Sequence, residues 1–360
     1  MGIFGFFEKA VPPLALDIGA SSCKVLELDT SVTPHRLLRC HRFFLPADIS
    51  SPQGISDPQK AGKCIADYFD AQGITAQDVS VAIPSPHVFT KRVKVPLMGY
   101  SDLESHISYE AVNLIPQHQK GVKIDFHVLG SAGKGQLEVL LVGAKNDVVD
   151  SILAAVEWAG LDVNVLDVDV FALSNIFEVV HPEAKNRTTA LVNIGSRYSA
   201  VTIVSHNKVV FAGDLPMGGK TVTDAAAQSA NVSGGVAEQQ KVHGSSSGGA
   251  SGELLQEALF LAAESFAGEL SRRLNMFWNA AEIEDAIDSI YLSGGGARTP
   301  GLLQSLEGKT GLSAEILDPL SAFTKADGVE VEGDPCGYSI AAGLALRVSG
   351  DKATDLGEYS

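Results

Sequence analysis

The sequence predicts an α/β protein made of two similar halves facing each other across a cleft, with a small α+β segment inserted into the first half. Three observations carry this prediction. Two strand–turn–strand segments, one containing Asp17 and the other Asn193, can be laid over one another at an offset of 193 − 17 = 176 residues. A third glycine turn, Gly294-Gly295-Gly296, follows the apolar run Ser289–Ser293. Between about 85 and 160 the pattern changes to β-α-β-β-α, the order of a small sheet with helices on one side. A chain of 360 residues has room for two substantial halves, and 45% hydrophobic against 19% charged residues indicates a packed core.

Taken in order, Leu14–Ile18, the turn Gly19-Ala20-Ser21-Ser22-Cys23 and Lys24–Leu28 read as a hairpin. β-Rich sequence continues to Phe44. The spacing of Cys64, Ile65, Tyr68 and Phe69 predicts a helix over Pro58–Asp70. Val79–Ile83 is a buried strand, ended by Pro84 and Pro86. A strand over Val88–Val95 and a helix over Asp102–Leu114 follow, then strands over Val122–Leu129 and Gln136–Ala144 and a helix over Asp147–Ala159. Val163–Val168 returns to a buried strand and Val170–Val179 is helical.

The second half repeats the opening with Thr189–Ile194, the turn Gly195-Ser196-Arg197-Tyr198-Ser199 and Ala200–Val204. A turn at His206–Lys208 leads into Val209–Ala212. A Ser/Gly-rich tract within 232–252 reads as a surface loop. Leu254–Trp278 is a long helix interrupted only by Gly268, and a last helix is expected over Gly337–Arg347. Trp158 and Trp278 fall on helices and are expected in the core. The resulting organisation is a first half over 13–84 and 163–187, an inserted subdomain over 85–162, a second half over 188–347 and an acidic tail over 348–360.

Bulk properties exclude several classes. A net charge of −16, from 27 basic and 43 acidic residues, gives no long-range attraction to nucleic acid or an anionic bilayer. Cys23, Cys40, Cys64 and Cys336 show no C-x-x-C spacing, which excludes the common zinc and thioredoxin-type sites and fits a reducing, cytosolic compartment. The apolar runs are too short to span a membrane. The start, Met1 to Lys9, lacks the basic and long apolar regions of a signal peptide, and Ile3, Phe4, Phe6 and Phe7 are read first as a terminus tucked against the protein or left loose and second as a shallow dock on a membrane or a partner. The nine histidines form no ligand cluster.

The duplicated turns carry the chemistry. Glycine at Gly19 and Gly195 lets a backbone approach a phosphate closely, while turn N–H groups and the hydroxyls of Ser21, Ser22 and Ser196 supply donors. A carboxylate at a strand end, Asp17, can hold Mg2+ through its waters. Two such turns facing one another would grip a triphosphate, and the Gly294–Gly296 turn offers a flat backbone surface for an adenine. Lys24 is read equally as a phosphate contact or an outward strand lysine. Asp169 is read as a helix N-cap first and as a catalytic, water-positioning carboxylate second. Other phosphate-loop patterns fail on spacing. Gly219-Lys220-Thr221 would need a glycine at Asp214, Gly308-Lys309-Thr310 one at Leu303, and Thr299 breaks the dinucleotide pattern at Gly294.

These loops resemble those of the actin-like ATPase superfamily: a first phosphate loop at 17–24, a second at 193–199 and an adenosine loop from Gly294 to Arg298. The run from Leu215 through Gly218 and Gly219 is similar to the Gly-Gly turn that opens the second half's first helix in FtsA-like proteins. Within that superfamily the chain resembles the PilM family of type IV pilus assembly proteins over about 2–347. The matching segments are Gly2–Phe7, Ala82–Pro84, Tyr109–Pro116, Ala159–Leu161 and Leu166–Leu173. The resemblance implies a duplicated actin-like ATPase fold with ribonuclease H-like halves and an FtsA-like inserted subdomain. It implies ATP with Mg2+ in the central cleft, with Glu238 and Lys241 contacting ribose and base. It also implies binding of the cytoplasmic N-terminal peptide of a PilN-like inner-membrane protein, a link to pilus motor ATPases, and peripheral membrane association. A homo-oligomer or ring is compatible with it. Asn193, where such ATPases usually have aspartate, implies slow or absent hydrolysis. The polar tail lacks the amphipathic helix with which FtsA ends. Alternative readings are an actin-fold small-molecule phosphotransferase and an FtsA-like cell-division protein.

Overall fold

The structure is a computed structural model and describes residues 13–46, 48–51, 54–114, 121–244, 250–280 and 285–348. The apolar start, the heart of the Ser/Gly tract at 245–249 and the tail beyond 348 lie outside the described residues.

The first hairpin forms as β1 (Leu14–Ile18) and β2 (Ser22–Asp29), followed by β3 (Arg36–Phe44). A two-residue pair, β4 (Ser50–Ser51) and β5 (Gly54–Ile55), precedes helix α1 (Pro58–Gln72). That helix has an N-cap, Asp57, whose carboxylate accepts the Lys60 N–H, proline at its first position, and Gly73 in the left-handed conformation at its end. Strand β6 (Asp78–Ile83) then runs into a 3-10 turn, Ser85–His87. Next come β7 (Val88–Pro96), α2 (Tyr100–Leu114), β8 (Val122–Gly133) and β9 (Gln136–Lys145). Helix α3 (Asn146–Trp158), β10 (Asp162–Val168) and α4 (Asp169–Val180) complete the half.

The second half opens with β11 (Thr188–Ile194), β12 (Ser199–Ser205) and β13 (Lys208–Leu215). Helices α5 (Gly219–Ala230), α6 (Gly234–His243) and α7 (Ala250–Ala280) follow. The chain then forms β14 (Ser289–Ser293), α8 (Leu302–Thr310), β15 (Ser313–Ile316), β16 (Thr324–Lys325) and α9 (Ser339–Leu344).

The two halves share one sheet topology. Strand order is β3-β2-β1-β6-β10 in one and β13-β12-β11-β14-β15 in the other, with β16 added at the free edge of β3. The hairpin strands pair antiparallel and the later strands parallel in both sheets. The duplication extends to register: Asp17 pairs with Lys24, and 176 residues later Asn193 pairs with Ala200. Near-continuous burial of β11 and β12 fits sheets covered on both faces.

Helices α4 and α9 lie between the two sheets. Ala172, Leu173, Ile176 and Phe177 of α4 and Ile340, Ala341 and Leu344 of α9 share one core with Leu26 of the first sheet and Leu191 of the second. Their backbones pass so closely that a Cβ on Gly343 would lie 1.8 Å from the Ala172 carbonyl oxygen, so only glycine fits there.

Four details differ from the sequence expectation. Helix α3, expected on the small sheet β7-β9-β8, packs on α1, and its Val148, Ile152 and Ala155 join the core around Leu16 and Ile65. Helix α2 covers the small sheet through Leu103 and Ile107. Part of the Ser/Gly-rich region is the helix α6, started by Ser233, whose hydroxyl accepts the Val236 N–H. The last helix is shorter than expected, because Pro335–Tyr338 forms a 3-10 turn before α9. Finally, Trp158 is 57% exposed, since it sits at the end of α3 with only its Cβ side against Gly62. Trp278 is half-buried, and its indole N–H donates to the Asp285 carbonyl at 2.9 Å.

Candidate functional site

Both turns close by the same backbone hydrogen bond. The Gly19 N–H donates to the Ser22 carbonyl at 3.2 Å, and the Gly195 N–H to the Tyr198 carbonyl at 3.0 Å. A Cβ would lie 2.8 Å from the Ser22 carbonyl oxygen at Gly19 and 2.9 Å from the Tyr198 carbonyl oxygen at Gly195. Each turn therefore requires glycine for the same steric reason, at positions 176 residues apart.

The turns face one cavity of about 420 Å3 between the halves, whose walls include Asp17, Gly19 and Ala20 from the first half and Ser196, Arg197 and Tyr198 from the second. Its remaining wall is largely apolar and includes Leu45, Ile49, Ile55, Pro86, Val148 and Ile152. Asp17 Oδ2 lies 3.2 Å from Lys24 Nζ, which also donates to the Ser22 carbonyl. Lys24 thus points to the turn and balances Asp17; it is not an outward strand lysine. Ser22 is buried and Ser21 exposed, so only Ser21 presents its hydroxyl to solvent.

The second turn is held by three successive carbonyls. Those of Ile194, Gly195 and Ser196 accept the N–H groups of Gly296, Gly219 and Lys220 at 2.9, 2.8 and 2.9 Å. This ties the turn to the Gly294–Gly296 loop and to the N-terminus of α5, an end that favours negative charge. Gly218 has no room for a side chain, since a Cβ would lie 2.5 Å from the Gly195 carbonyl oxygen. Gly294 adopts φ +83°, and a Cβ there would lie 2.7 Å from Asn193 Oδ1. Asn193 Oδ1 accepts from the Ser293 hydroxyl at 3.2 Å, so the amide is tied to the neighbouring strand. At Gly295 a Cβ would meet open space.

On the far side of α5, Lys241 is almost fully buried. Its ammonium donates to the Gly219 carbonyl at 3.0 Å and to Thr223 Oγ1 at 2.8 Å, and pairs with Glu238 at 2.8 Å. A Cβ on Gly219 would lie 3.3 Å from Lys241 Nζ and 3.5 Å from Gly296 Cα, which brings the three positions into one corner. Arg298, in contrast, is exposed and paired with Asp334.

Asp169 lines the cavity from the start of α4. Its carboxylate accepts the Ser85 N–H at 3.0 Å, the Val170 N–H at 2.7 Å, the Tyr198 hydroxyl at 2.7 Å and the Ser85 hydroxyl at 3.3 Å. Burial pushes its carboxyl up to about 6 despite these donors. The same burial, with Asp169 alongside, pushes the Tyr198 phenol well above its ordinary value. Asp169 therefore links the root of the small sheet, at Ser85, to the second turn. His87, on the same cavity wall, is held below its ordinary value by burial.

Sequence reasoning passed over Arg197, Tyr198 and Thr223. The first two stand inside the second turn, but only its glycine and serine match the phosphate-donor pattern of the first. Thr223 carries no signal beyond its place one turn after Gly219. A Mg2+ ion held through water and phosphate oxygens needs one or two carboxylates, and Asp17 fits that role at the cavity wall. Among the described residues no group of three or more metal-ligating side chains forms an all-protein cage.

With this geometry in place, the family model for type IV pilus assembly protein PilM matches residues 15–349. The chain belongs to the PilM family. Among solved structures, the PilM–PilN type IV pilus biogenesis complex is similar at 24% identity and TM-score 0.81, with 94% of this chain and 98% of that one covered. Ethanolamine utilization protein EutJ from Carboxydothermus hydrogenoformans matches at 11% identity and TM-score 0.55, covering 93% and 89%. MreB 5 of Spiroplasma citri bound to AMPPNP matches at 11% identity and TM-score 0.50, covering 94% and 96%. These likenesses establish the actin-like fold expected from the duplicated turn. No described helix of this family member is long and apolar enough to cross a membrane.

Proposed function

We propose that this chain is an ATP-binding component of the type IV pilus assembly machinery, recruited to the inner membrane from the cytoplasmic side through the N-terminal peptide of a PilN-like protein. The observation that carries the nucleotide part is the pair of matched turns on opposite walls of one cavity, in a chain of the PilM family. The triphosphate lies between Gly19 and Gly195, near the N-terminus of α5, and the adenosine lies in the corner of Gly219, Lys241 and Gly296. Asp17 orients the waters of a bound Mg2+, and ATP supplies a ligand that ties one half to the other. Glu238 holds Lys241 in place, and Gly218 and Gly294 shape the loops beside it. The two carboxylate oxygens of Asp169 are engaged by four donors, which suits a positioning group better than a catalytic base. The PilM–PilN complex of the relative supports a PilN-like partner, and the family resemblance suggests that partner's N-terminal peptide as the segment bound.

Calorimetry of the full chain tests this with two titrants: ATP with Mg2+, and a synthetic peptide copying the cytoplasmic N-terminus of a PilN-like protein from the same organism. Saturable binding of both is expected. Absence of heat with either titrant, confirmed by equilibrium dialysis, overturns the corresponding part.

A further inference from the structure

The two turns share a backbone but not a charge. At the offset of 176, Asp17 corresponds to Asn193, Lys24 to Ala200, and the exposed Ser21 to Arg197. The first turn carries a carboxylate–ammonium pair, with Asp17 and Lys24 3.2 Å apart. In the second turn both members of that pair are replaced by uncharged residues, and one guanidinium is added at the tip.

Arg197 lies on the cavity wall and crosses the cleft, its Nη1 donating to the Ser50 hydroxyl at 3.0 Å. Other cations here are already matched: Lys24 by Asp17, and Lys220 by Asp224 at 2.6 Å. Among the described residues Arg197 is bonded to a neutral hydroxyl and forms no ion pair. A hydroxyl is a weak partner for a guanidinium, whose forked donors match the oxygens of a phosphate.

We propose that Arg197 is a phosphate-binding residue that takes the terminal phosphate of a nucleoside triphosphate, exchanging Ser50 for it, and so makes triphosphate binding only weakly dependent on a divalent cation. The inference rests on the nucleotide reading above and adds to it a residue and a metal dependence. The physical reason is charge balance. A polyanionic triphosphate needs positive charge from the ion, from the protein, or from both. Losing the second carboxylate removes a holder for the ion, and gaining a guanidinium supplies charge from the protein itself. Arg197 stands at the tip of the second turn and lines the same cavity as Gly19 and Ala20 of the first, so it is placed to reach a phosphate held between them.

The test is nucleotide binding by the full chain, measured by calorimetry with ATP, ADP and AMP, each in excess Mg2+ and in excess EDTA. The variants are Arg197→Ser, which restores the first turn's residue, and Arg197→Lys, which keeps the charge but loses the fork. The wild type is expected to keep ATP affinity within about tenfold on removing Mg2+. Arg197→Ser is expected to lose ATP affinity in EDTA about ten- to a hundredfold, the usual cost of removing a charge-assisted contact. It should lose much less for AMP, and Arg197→Lys should recover part of the loss. Equal melting temperatures of wild type and variants identify the effect as binding. Two results overturn the proposal while leaving the nucleotide reading intact: ATP binding by the wild type only with Mg2+, or unchanged binding by Arg197→Ser in EDTA. No nucleotide binding by the wild type in any condition overturns both.

Discussion

Replacing Asp169 by asparagine tests how burial and hydrogen bonding compete at the junction of the two halves. The wild-type carboxylate is only 3% exposed, and its four donors do not prevent burial from raising it from 3.8 to about 6. A carboxyl raised in the folded state binds its proton more tightly there than in the unfolded chain. Its contribution is therefore fully present below the unfolded value and is lost as pH rises through the folded one. The full loss for a shift of this size is about 3 kcal/mol, of which about 2 kcal/mol falls between pH 4.5 and 7.5. The asparagine side chain of the variant does not titrate. The stability of Asp169→Asn relative to wild type should therefore improve by about 2 kcal/mol over that interval. Losing an acceptor oxygen for the Tyr198 hydroxyl adds an offset that does not depend on pH. Urea unfolding of both proteins at several pH values measures the difference directly, and every other titrating group cancels between them. A constant difference across the range would refute the reasoning, because it would mean that the four donors hold the carboxyl at its ordinary value.

Three further variants test the packing and the nucleotide corner. Gly343→Ala should cost about 3 kcal/mol or more, since its Cβ would lie 1.8 Å from the Ala172 carbonyl oxygen and force α4 and α9 apart. Gly337→Ala, where a Cβ meets nothing within 4 Å, should leave the urea midpoint nearly unchanged and serves as the control. Lys241→Ala should lower stability by about 1–3 kcal/mol, because the Gly219 carbonyl and Thr223 Oγ1 each lose a charged donor and Glu238 loses its ion-pair partner. The same substitution should weaken ATP binding about tenfold or more, as measured by calorimetry.

Much of this architecture was legible because it is written in local patterns. Strand–turn–strand segments with glycine at a fixed place, helices with an apolar face such as Cys64–Phe69, and prolines closing β6 all act within a few residues. What could not be read depends on contacts between distant segments. Nothing in the periodicity of α3 tells whether its Val148 and Ile152 face the small sheet or α1. Trp158 was placed in the core by its type, yet the end of α3 leaves it exposed. Lys24 was ambiguous because the direction of a strand side chain at a turn depends on the twist of that turn. The N-cap role expected for Asp169 is not the one it takes, since Val168 is the N-cap of α4 and Asp169 its first residue; its bonds to Ser85 and Tyr198 join residues 84 and 29 positions away.

The duplicated site also separates what a fold fixes from what it leaves free. In both turns the glycine is required by a carbonyl oxygen under 3 Å from where a Cβ would stand, so backbone geometry alone maintains it. No such requirement acts on the side chains at the strand end or the turn tip. The first turn carries Asp17, Lys24 and Ser21 on that frame, and the second carries Asn193, Ala200 and Arg197. A pair of turns needed only for shape would show no coordinated change of charge. Here the second turn lacks both the carboxylate and its cation partner, and has instead a guanidinium that reaches across the cleft to Ser50. The second turn thus presents a net positive tip where the first presents a neutral pair, on a backbone closed by the same hydrogen bond. That combination suits holding an anion between the halves better than activating a water against it, which is why nucleotide retention, measured with and without Mg2+, tests this chain more sharply than turnover.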